Sequence, residues 1–356
     1  MEDNYLMDSS KMPWHLDRIL DWQNGKRIAP ISIDVGLSKG CNIHCEYCFG
    51  ALQGNRYEKG ISDFFPREPL LRYVREAGEV GVRSMALIGE AEPLINPHVY
   101  EAIVVGKRAG IDMSLGTNGL YLDAGSRGEE ALENLTWIRF NISAATKESY
   151  LRVHRSPMFE FIKSKIKFCV DYKKTKSLAV TIGLQMVLTP SNVDQVIGLA
   201  QLGKDLGVDY LVVKQCSDTV ENSLGVYKRF SEYENFTDIL KEAESLSTED
   251  YKVIIKWRKI KGGRTFKQCL GTPFLLYSSG DGKLYPCGMF FNSDEYLMGD
   301  LIKQSFKEII YSQRYLDVIE MVKKINVDGC YSGCKTHAIN EYLWQLKNKP
   351  QHLNFV

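Results

Sequence analysis

Apolar residues along this chain follow two alternating rhythms. Short runs rich in Val, Ile, Leu and Met alternate with segments whose apolar positions lie three and four residues apart. Residues 14–24 (WHLDRILDWQN) show the helical spacing at Trp14, Ile19 and Trp22, with Leu16 and Leu20 between them, and Gly25 is the expected stop. A β-like run follows at 31–35. Helical patterns at 66–79, 98–109, 128–134, 157–174 and 192–206 then precede β-like runs at 85–88, 112–115, 137–142, 179–188 and 210–213. Six such strand–helix alternations predict an α/β fold with parallel strands and crossover helices. The polar stretch 217–233 (SDTVENSLGVYKRFSEY) reads as a linker or lid loop. A helix-like segment at 234–247 follows it, and a second region opens near 251 with the β run YKVIIKW.

In sheets of this kind chemistry gathers at the carboxyl ends of strands. The polar clusters fall there. A cysteine-rich loop follows the first strand, Gly89-Glu90-Ala91-Glu92-Pro93 the second and Thr117-Asn118-Gly119 the third. Asn141 and Ser143 close the fourth, Gln185 points from the fifth, and Lys214, Gln215 and Cys216 end the sixth. A purely structural sheet does not need polar clusters along one rim.

Composition narrows the partners. The 356 residues suit one large or two modest domains, and 44% hydrophobic with 25% charged residues is ordinary for a chain that buries a full core. A net charge of +1 gives no electrostatic case for nucleic acid or an acidic membrane, so neither is expected. No apolar run reaches signal-peptide or membrane-spanning length. Nine cysteines without a secretion signal predict a reducing cytoplasm and metal ligation.

Seven of those nine cysteines form two sets. Cys41, Cys45 and Cys48 make a CxxxCxxC run within CNIHCEYC. Three thiolates leave one iron of a four-iron cluster with an open position, and an open position marks chemistry more than scaffolding. A zinc site completed by His44 or a distant ligand is the alternative, although His44 lies inside the run, where it cannot easily join the same tetrahedron. Cys269, Cys287, Cys330 and Cys334 form the second set, with Gly282 five positions before Cys287. Four thiolates saturate a cluster, or a structural zinc. FLLYSSGDGKLYPCG carries two β-like runs around Ser-Gly-Asp-Gly, a hairpin signal, and a helical pattern follows at 305–324. Cys169 sits in an apolar helical stretch and reads as core packing. Cys216, at the rim, reads either as a hydrogen-atom donor or as a small residue closing the barrel.

The CxxxCxxC spacing, with Tyr47 just before the third cysteine, resembles the radical S-adenosylmethionine (radical SAM) superfamily over roughly residues 31–216. That resemblance implies a partial (βα)6 TIM-like barrel over 31–250, after a helical extension at 1–30. It implies a [4Fe-4S] cluster whose open iron binds S-adenosylmethionine, and an electron donor such as flavodoxin or ferredoxin. One electron would cleave the sulfonium to methionine and a 5′-deoxyadenosyl radical, which removes hydrogen from an unactivated carbon. Tyr47 is then expected near the adenine. GEAEPLINP resembles the family's glycine-rich motif and puts Gly89, Glu92 and Pro93 at the cofactor, although Ala91 stands where members often have glycine. Asn118, Asn141, Ser143, Arg155 and Gln185 complete the expected cofactor contacts. The second cysteine set resembles the twitch domain, the short form of the SPASM extension, which implies a small α+β unit at 251–356 with one auxiliary [4Fe-4S] cluster.

The leading expectation is dehydrogenation of a small carbohydrate or aminocyclitol-like molecule, by analogy with an aminocyclitol dehydrogenase, with the auxiliary cluster taking an electron. Lys214 or His154 would serve as base, and Arg152 and Gln215 would face a polyhydroxylated substrate. The alternatives are a peptide maturase, an epimerase that uses Cys216 as hydrogen donor, and a non-catalytic iron–sulfur or zinc protein. Two complete cysteine sets predict about eight irons per anaerobically reconstituted chain. Changing Cys41, Cys45 and Cys48 to alanine should remove about half of them; zinc replacing half the iron would refute the cluster assignment.

Overall fold

The alternation of apolar runs does build a parallel sheet. A computed structural model describes residues 5–53, 63–218, 224–225, 233–261, 263–331 and 333–355. Strands β1 (Ser32–Val35), β2 (Ser84–Leu87), β3 (Asp112–Thr117), β4 (Leu135–Asn141), β5 (Thr181–Leu188) and β6 (Tyr210–Gln215) lie side by side in chain order, all parallel. Most of their residues are buried, as in parallel sheets flanked by crossover helices. The expected loop at 217–233 falls largely outside the described residues.

The sheet runs on past the six expected strands. β7 (Lys252–Ile255) pairs in parallel with β6, and β8 (Leu275–Ser278) pairs in parallel with β1. β8 then turns into the antiparallel β9 (Lys283–Tyr285), and β10 (Gly299–Asp300) closes that edge. The order is β10-β9-β8-β1-β2-β3-β4-β5-β6-β7, an open sheet that crosses the division expected near residue 250.

Helices α1 (Leu16–Gln23), α2 (Arg67–Glu79), α3 (Val99–Arg108), α4 (Ser126–Asn134), α5 (Lys147–His154), α6 (Phe159–Lys176), α7 (Val196–Leu206) and α8 (Thr237–Ser245) accompany the parallel strands. α9 (Trp257–Lys261), α10 (Phe306–Tyr311), α11 (Gln313–Lys323) and α12 (His337–Lys347) follow. The helical pattern at 305–324 is broken at Ser312, which is extended (ψ 159°) and caps α11 by accepting the Tyr315 N–H. α5 was not foreseen. Its KESYLRVH is polar, and a Thr146–Ser149 capping box starts it rather than an apolar stripe. Leucines, isoleucines and valines of all the parallel strands join one continuous core. A smaller cluster of Met12, Ile19, Ile28, Phe274 and Leu343 fastens α1 and α12 to the approach to β8. Among the described residues, no helix is long and apolar enough to cross a membrane.

The edge hairpin is held against the loop after β1 at backbone distance. Gly36 N–H donates to Ser278 O at 2.7 Å. A Cβ on Gly280 would lie 2.1 Å from Ser38 O. Lys39 spans the seam, with Nζ 2.8 Å from Glu90 and 3.6 Å from Asp281, and it donates to Asn292 Oδ1 at 3.0 Å. Because the obstacle at Gly280 is main chain, Gly280→Ala should destabilise the reconstituted protein by about 3 kcal/mol, the upper end of the usual overpacking range. Chemical unfolding measures this, and an unchanged midpoint would show that the seam can open without cost.

Candidate active site at the carboxyl rim of the sheet

Cys41, Cys45 and Cys48 hang from the loop after β1 and face one cavity of about 280 Å3. The loop after β2 clamps them from beside. Glu92 N–H donates to Gly40 O at 3.1 Å, and Ser38 Oγ donates to Glu92 O at 2.8 Å. Gly89 is required here, since a Cβ on it would lie 2.5 Å from Gly36 Cα.

The Glu92 side chain is 3% exposed and organises the next loop. Its carboxylate accepts from Leu94 N–H at 3.1 Å, Thr117 Oγ1 at 2.5 Å and Asn118 N–H at 2.8 Å. Burial pushes its pKa up to about 7, against the pull of those three donors. Asn118 Nδ2 in turn lies 3.8 Å from Cys41 Sγ and donates to Asn42 Oδ1 at 2.6 Å. The turn that follows needs Gly119, whose φ is +80°.

His154 sits beneath Cys45, fully buried. Ser143 N–H donates to its Nε2 at 2.9 Å. An amide nitrogen only donates, so Nε2 is the acceptor and the ring proton of the neutral imidazole lies on Nδ1. Nδ1 is 3.1 Å from Cys45 Sγ and therefore donates to it. Burial holds the His154 pKa down at about 3, which keeps the ring neutral. Tyr47 joins the same network, its hydroxyl 2.8 Å from Ser143 Oγ, and Ser143 Oγ also accepts Val187 N–H at 3.0 Å.

The donor set fits an iron–sulfur cluster. Burial pushes Cys41 up to about 12, helped by Glu92 and then Cys48, and burial with the charges of Cys48 and Cys41 pushes Cys45 well above the usual thiol range. Thiolates hold their charge in such a place only around a cation. Among the described residues, no three His, Cys, Asp or Glu side chains close on a single ion. The three thiols do open onto one shared space.

A second opening, also about 280 Å3, continues from the first. The two have eight lining residues in common, among them Gly89, Arg139, Gln185 and Lys214. The β4–β5 register sets Asn141 opposite Gln185, whose Nε2 donates to Asn141 Oδ1 at 2.8 Å. The far wall includes Gly288, Tyr331, Gly333 and Lys335. Each of these is next in sequence to a cysteine of the second set.

Cys269, Cys287, Cys330 and Cys334 come together on the loops around the hairpin and before α12. Burial raises Cys287, and the other three thiols raise it further; Cys330 is pushed up to about 11 by burial and then by Cys334. Asn340 on α12 shapes the first loop. Its Oδ1 accepts Leu270 and Gly271 N–H, both at 2.7 Å, and its Nδ2 points at Cys269 Sγ at 3.7 Å. Arg264 holds the Cys330 loop through the carbonyls of Val327, Cys330 and Tyr331. This four-thiol set fits a second, fully ligated cluster by the same electrostatic reasoning.

Ten expected residues line the first opening: the three cysteines, Tyr47, Gly89, Glu92, Asn118, Asn141, Gln185 and Lys214. Five others lie off it. Pro93 is buried and opens the short 3-10 turn Pro93–Ile95. Ser143 and His154 are consumed by the network under Cys45, so His154 is not poised as a substrate base. Arg155 is exposed, in a left-handed conformation (φ 55°) that ends α5. Cys216 is 3% exposed and packs behind Tyr47, its Sγ 3.6 Å from Tyr47 O, with its pKa pushed up to about 12 by burial. Arg152 is an exposed partner of Asp194 at 3.7 Å, and Gln215 is buried away from both openings. Sequence reading missed Asp34, Arg139, Lys256, Lys259 and Lys335. Only Arg139 had a local signal, two residues from Asn141 on the same strand face.

Comparison with known proteins agrees with this arrangement. Residues 35–202 match the radical SAM superfamily, and residues 275–336 match SPASM, an iron–sulfur cluster-binding domain. The chain is 24% identical over 303 residues to an AdoMet-dependent heme synthase of Methanosarcina barkeri, covering 79% of this chain and 82% of that protein. It is 23% identical over 262 residues to an S-adenosylmethionine-dependent nucleotide dehydratase of Lacinutrix mariniflava, covering 70% and 53%. In fold it resembles Streptococcus suis SuiB bound to S-adenosylmethionine, with a TM-score of 0.65 at 13% identity, over 88% of this chain and 74% of that one. The chain belongs to the radical SAM superfamily and is an enzyme with a SPASM-type iron–sulfur domain. Its cofactors are S-adenosylmethionine, the four-iron cluster that binds it, and auxiliary cluster iron and sulfide.

His154→Leu conserves bulk but leaves Ser143 N–H without its acceptor and removes the donor to Cys45. A loss of about 1–3 kcal/mol in thermal or chemical unfolding is expected. The potential of the S-adenosylmethionine-binding cluster should also fall, because a hydrogen bond to ligand sulfur favours the reduced state. An unchanged potential would mean that the Nδ1–Sγ contact does not act on the cluster.

Proposed function

We propose that this enzyme dehydrogenates a small hydroxyl-bearing substrate, of carbohydrate or aminocyclitol kind, held in the space between the two cysteine sets. One observation carries the reading: the opening at Cys41, Cys45 and Cys48 continues, through shared walls at Arg139, Gln185 and Lys214, to residues adjoining Cys287, Cys330 and Cys334. A substrate lying there faces both clusters. Cys41, Cys45 and Cys48 would hold the first, and Cys269, Cys287, Cys330 and Cys334 the second.

When bound, these groups supply a 5′-deoxyadenosyl radical by one-electron cleavage of S-adenosylmethionine, and an acceptor for the electron left on the substrate. The remaining work belongs to the chain. Tyr47, the Gly89–Glu92 loop and Asn118 line the end where the cofactor would lie. The Asn141–Gln185 pair presents fixed polar groups from the sheet. Lys214 is the base. Burial and the nearby charges of Lys259, Arg139, Lys256 and Lys335 hold its pKa well below that of an ordinary lysine, so its neutral amine can take a proton. The carbon loses a hydrogen atom, its hydroxyl proton passes to Lys214, one electron leaves, and the C–O single bond becomes C=O. Two hydrogens leave the substrate in total.

An epimerase reading would need a hydrogen donor at the cavity. Cys216 is enclosed behind Tyr47 and does not supply one. The names of the relatives, a heme synthase and a nucleotide dehydratase, do not choose a substrate for this chain. A cytoplasmic reductant such as flavodoxin or ferredoxin completes the reading.

The test supplies the reconstituted enzyme with reductant, S-adenosylmethionine and a panel of sugars, sugar phosphates and aminocyclitols. A product lighter by two hydrogens is expected by mass spectrometry. Cys45→Ala should abolish 5′-deoxyadenosine. Lys214→Met should cut product about 100-fold, within the usual range for removing a general base, while slow uncoupled cleavage continues. Cys216→Ala should still form product. Solvent deuterium at an inverted carbon of the wild-type product would overturn dehydrogenation in favour of epimerisation.

A further inference from the structure

The far opening gathers like charges. Arg139, Lys214, Lys256, Lys259 and Lys335 line it against one carboxylate, Asp34. They arrive from separate parts of the chain: β4, β6, the link from β7 into α9, and the segment after Cys334. Asp34 is already engaged by Lys335 through both oxygens. Arg139 Nε is buried without an acceptor, while its side chain hydrogen-bonds Tyr210 and its guanidinium lies 5.0 Å from the Trp137 ring. Among the described residues, the hydrogen bonds of Lys256 and Lys259 go to neutral carbonyls, Met7 O at 2.5 Å and Gly333 O at 2.9 Å. Lys214 makes no hydrogen bond or ion pair among the described residues. Asp8 acts on Lys256 and Lys259 but is not part of the wall.

Packing alone does not call for this arrangement. Buried cations normally come with anions, because unpaired burial is costly. Here the half-buried Lys214, Lys256 and Lys259 crowd one another and Arg139, while Lys335 is exposed and paired with Asp34. Burial lowers Lys256 to about 7, with the charges of Lys259 and Arg139 as the next causes. A frustrated cluster on a cavity wall is relieved by an anion entering the cavity. The chain's net charge of +1 hides this, because the excess is local.

We infer that the far opening binds a polyanionic portion of the substrate, several phosphate or carboxylate groups carried on one small molecule. The inference rests on the substrate-site reading of the cavity. Arg139 and Lys256 receive the anion, with Lys259 and Lys335 beside them, while Lys214 stands at the shared wall facing the reacting carbon. The substrate is thereby oriented, its charged end toward the auxiliary domain and its reactive carbon toward Tyr47.

The test is an equilibrium titration of reconstituted holoenzyme, without reductant, using inorganic tripolyphosphate in one arm and citrate in the other. Saturable binding of at least one is expected, weakened by added salt. Arg139→Met and Lys256→Met should each weaken it about tenfold or more, as for one member of a desolvated charge contact. Arg139→Lys and Lys256→Arg, which keep the charge, should bind within a few fold of wild type. So should Lys204→Met, which alters an exposed lysine on α7. Tighter tripolyphosphate binding identifies phosphate as the group, and tighter citrate binding identifies carboxylate. Absence of binding in both arms, or equal affinity in wild type and both methionine variants, overturns the inference. A shifted auxiliary-cluster potential in Lys256→Met with unchanged anion affinity overturns it too, assigning the cations to the cluster. Formation of 5′-deoxyadenosine by the same preparation with dithionite reports separately on the catalytic reading.

Discussion

At Gly36 the loop leaving β1 passes between the Gly89 loop and the Gly280 turn, with no room for a side chain on any of the three. A Cβ on Gly36 would lie 2.7 Å from Gly280 N, and one on Gly89 would lie 2.5 Å from Gly36 Cα. Close packing of main chain against main chain leaves little freedom to slide. The loop carrying Cys41, Cys45 and Cys48 therefore emerges in one place, between the β2 loop and the β8–β9 hairpin. Lys39 strengthens the crossing by reaching Glu90 and Asp281 at once. Its acid partner Glu90 is nearly enclosed, and burial raises that carboxyl to about 7 despite the lysine.

The same crossing joins the two cysteine sets. Because β8 pairs in parallel with β1, the hairpin that leads to Cys287 is part of the main sheet. A small iron–sulfur domain on a flexible linker would let the distance between clusters vary. Here the ladder of β1 and β8 sets it, and the cavity between the sets is framed by strands, with Gln185, Arg139 and Lys214 projecting from β5, β4 and β6. Rigid elements hold reacting groups more closely than loops do.

Electrostatics divides that cavity. At the first end the notable groups are carboxylates and thiols that burial makes reluctant to ionise, held by neutral donors such as Asn118 and His154. At the far end they are cations that repel one another. A cavity with opposite demands at its two ends orients a ligand before any reaction begins. The depressed Lys214 at the boundary is a product of that division.

Much of the fold was legible along the chain because it is written in short periods. Strand runs such as SMAL and TIGLQMVL, and the spacings within each cysteine set, are local facts, and their order already implies parallel pairing. The cysteines, Glu92, Asn118, Gln185 and Lys214 could be nominated for the same reason, each standing just beyond or within a recognisable strand. What the chain does not display is which distant segments meet. KVII and LLYS announce strands but not that they extend the sheet beside β6 and β1, because strand partners are chosen by long-range packing. His154 and Cys216 look like rim residues until Ser143 and Tyr47 are seen to enclose them. Sequence by itself determined most of the elements, their order and the metal-binding character of the cysteine sets. The meeting of Arg139, Lys256, Lys259 and Lys335 on one wall was decided only by tertiary structure, since a charge acquires its role from what lies within a few ångströms of it in space.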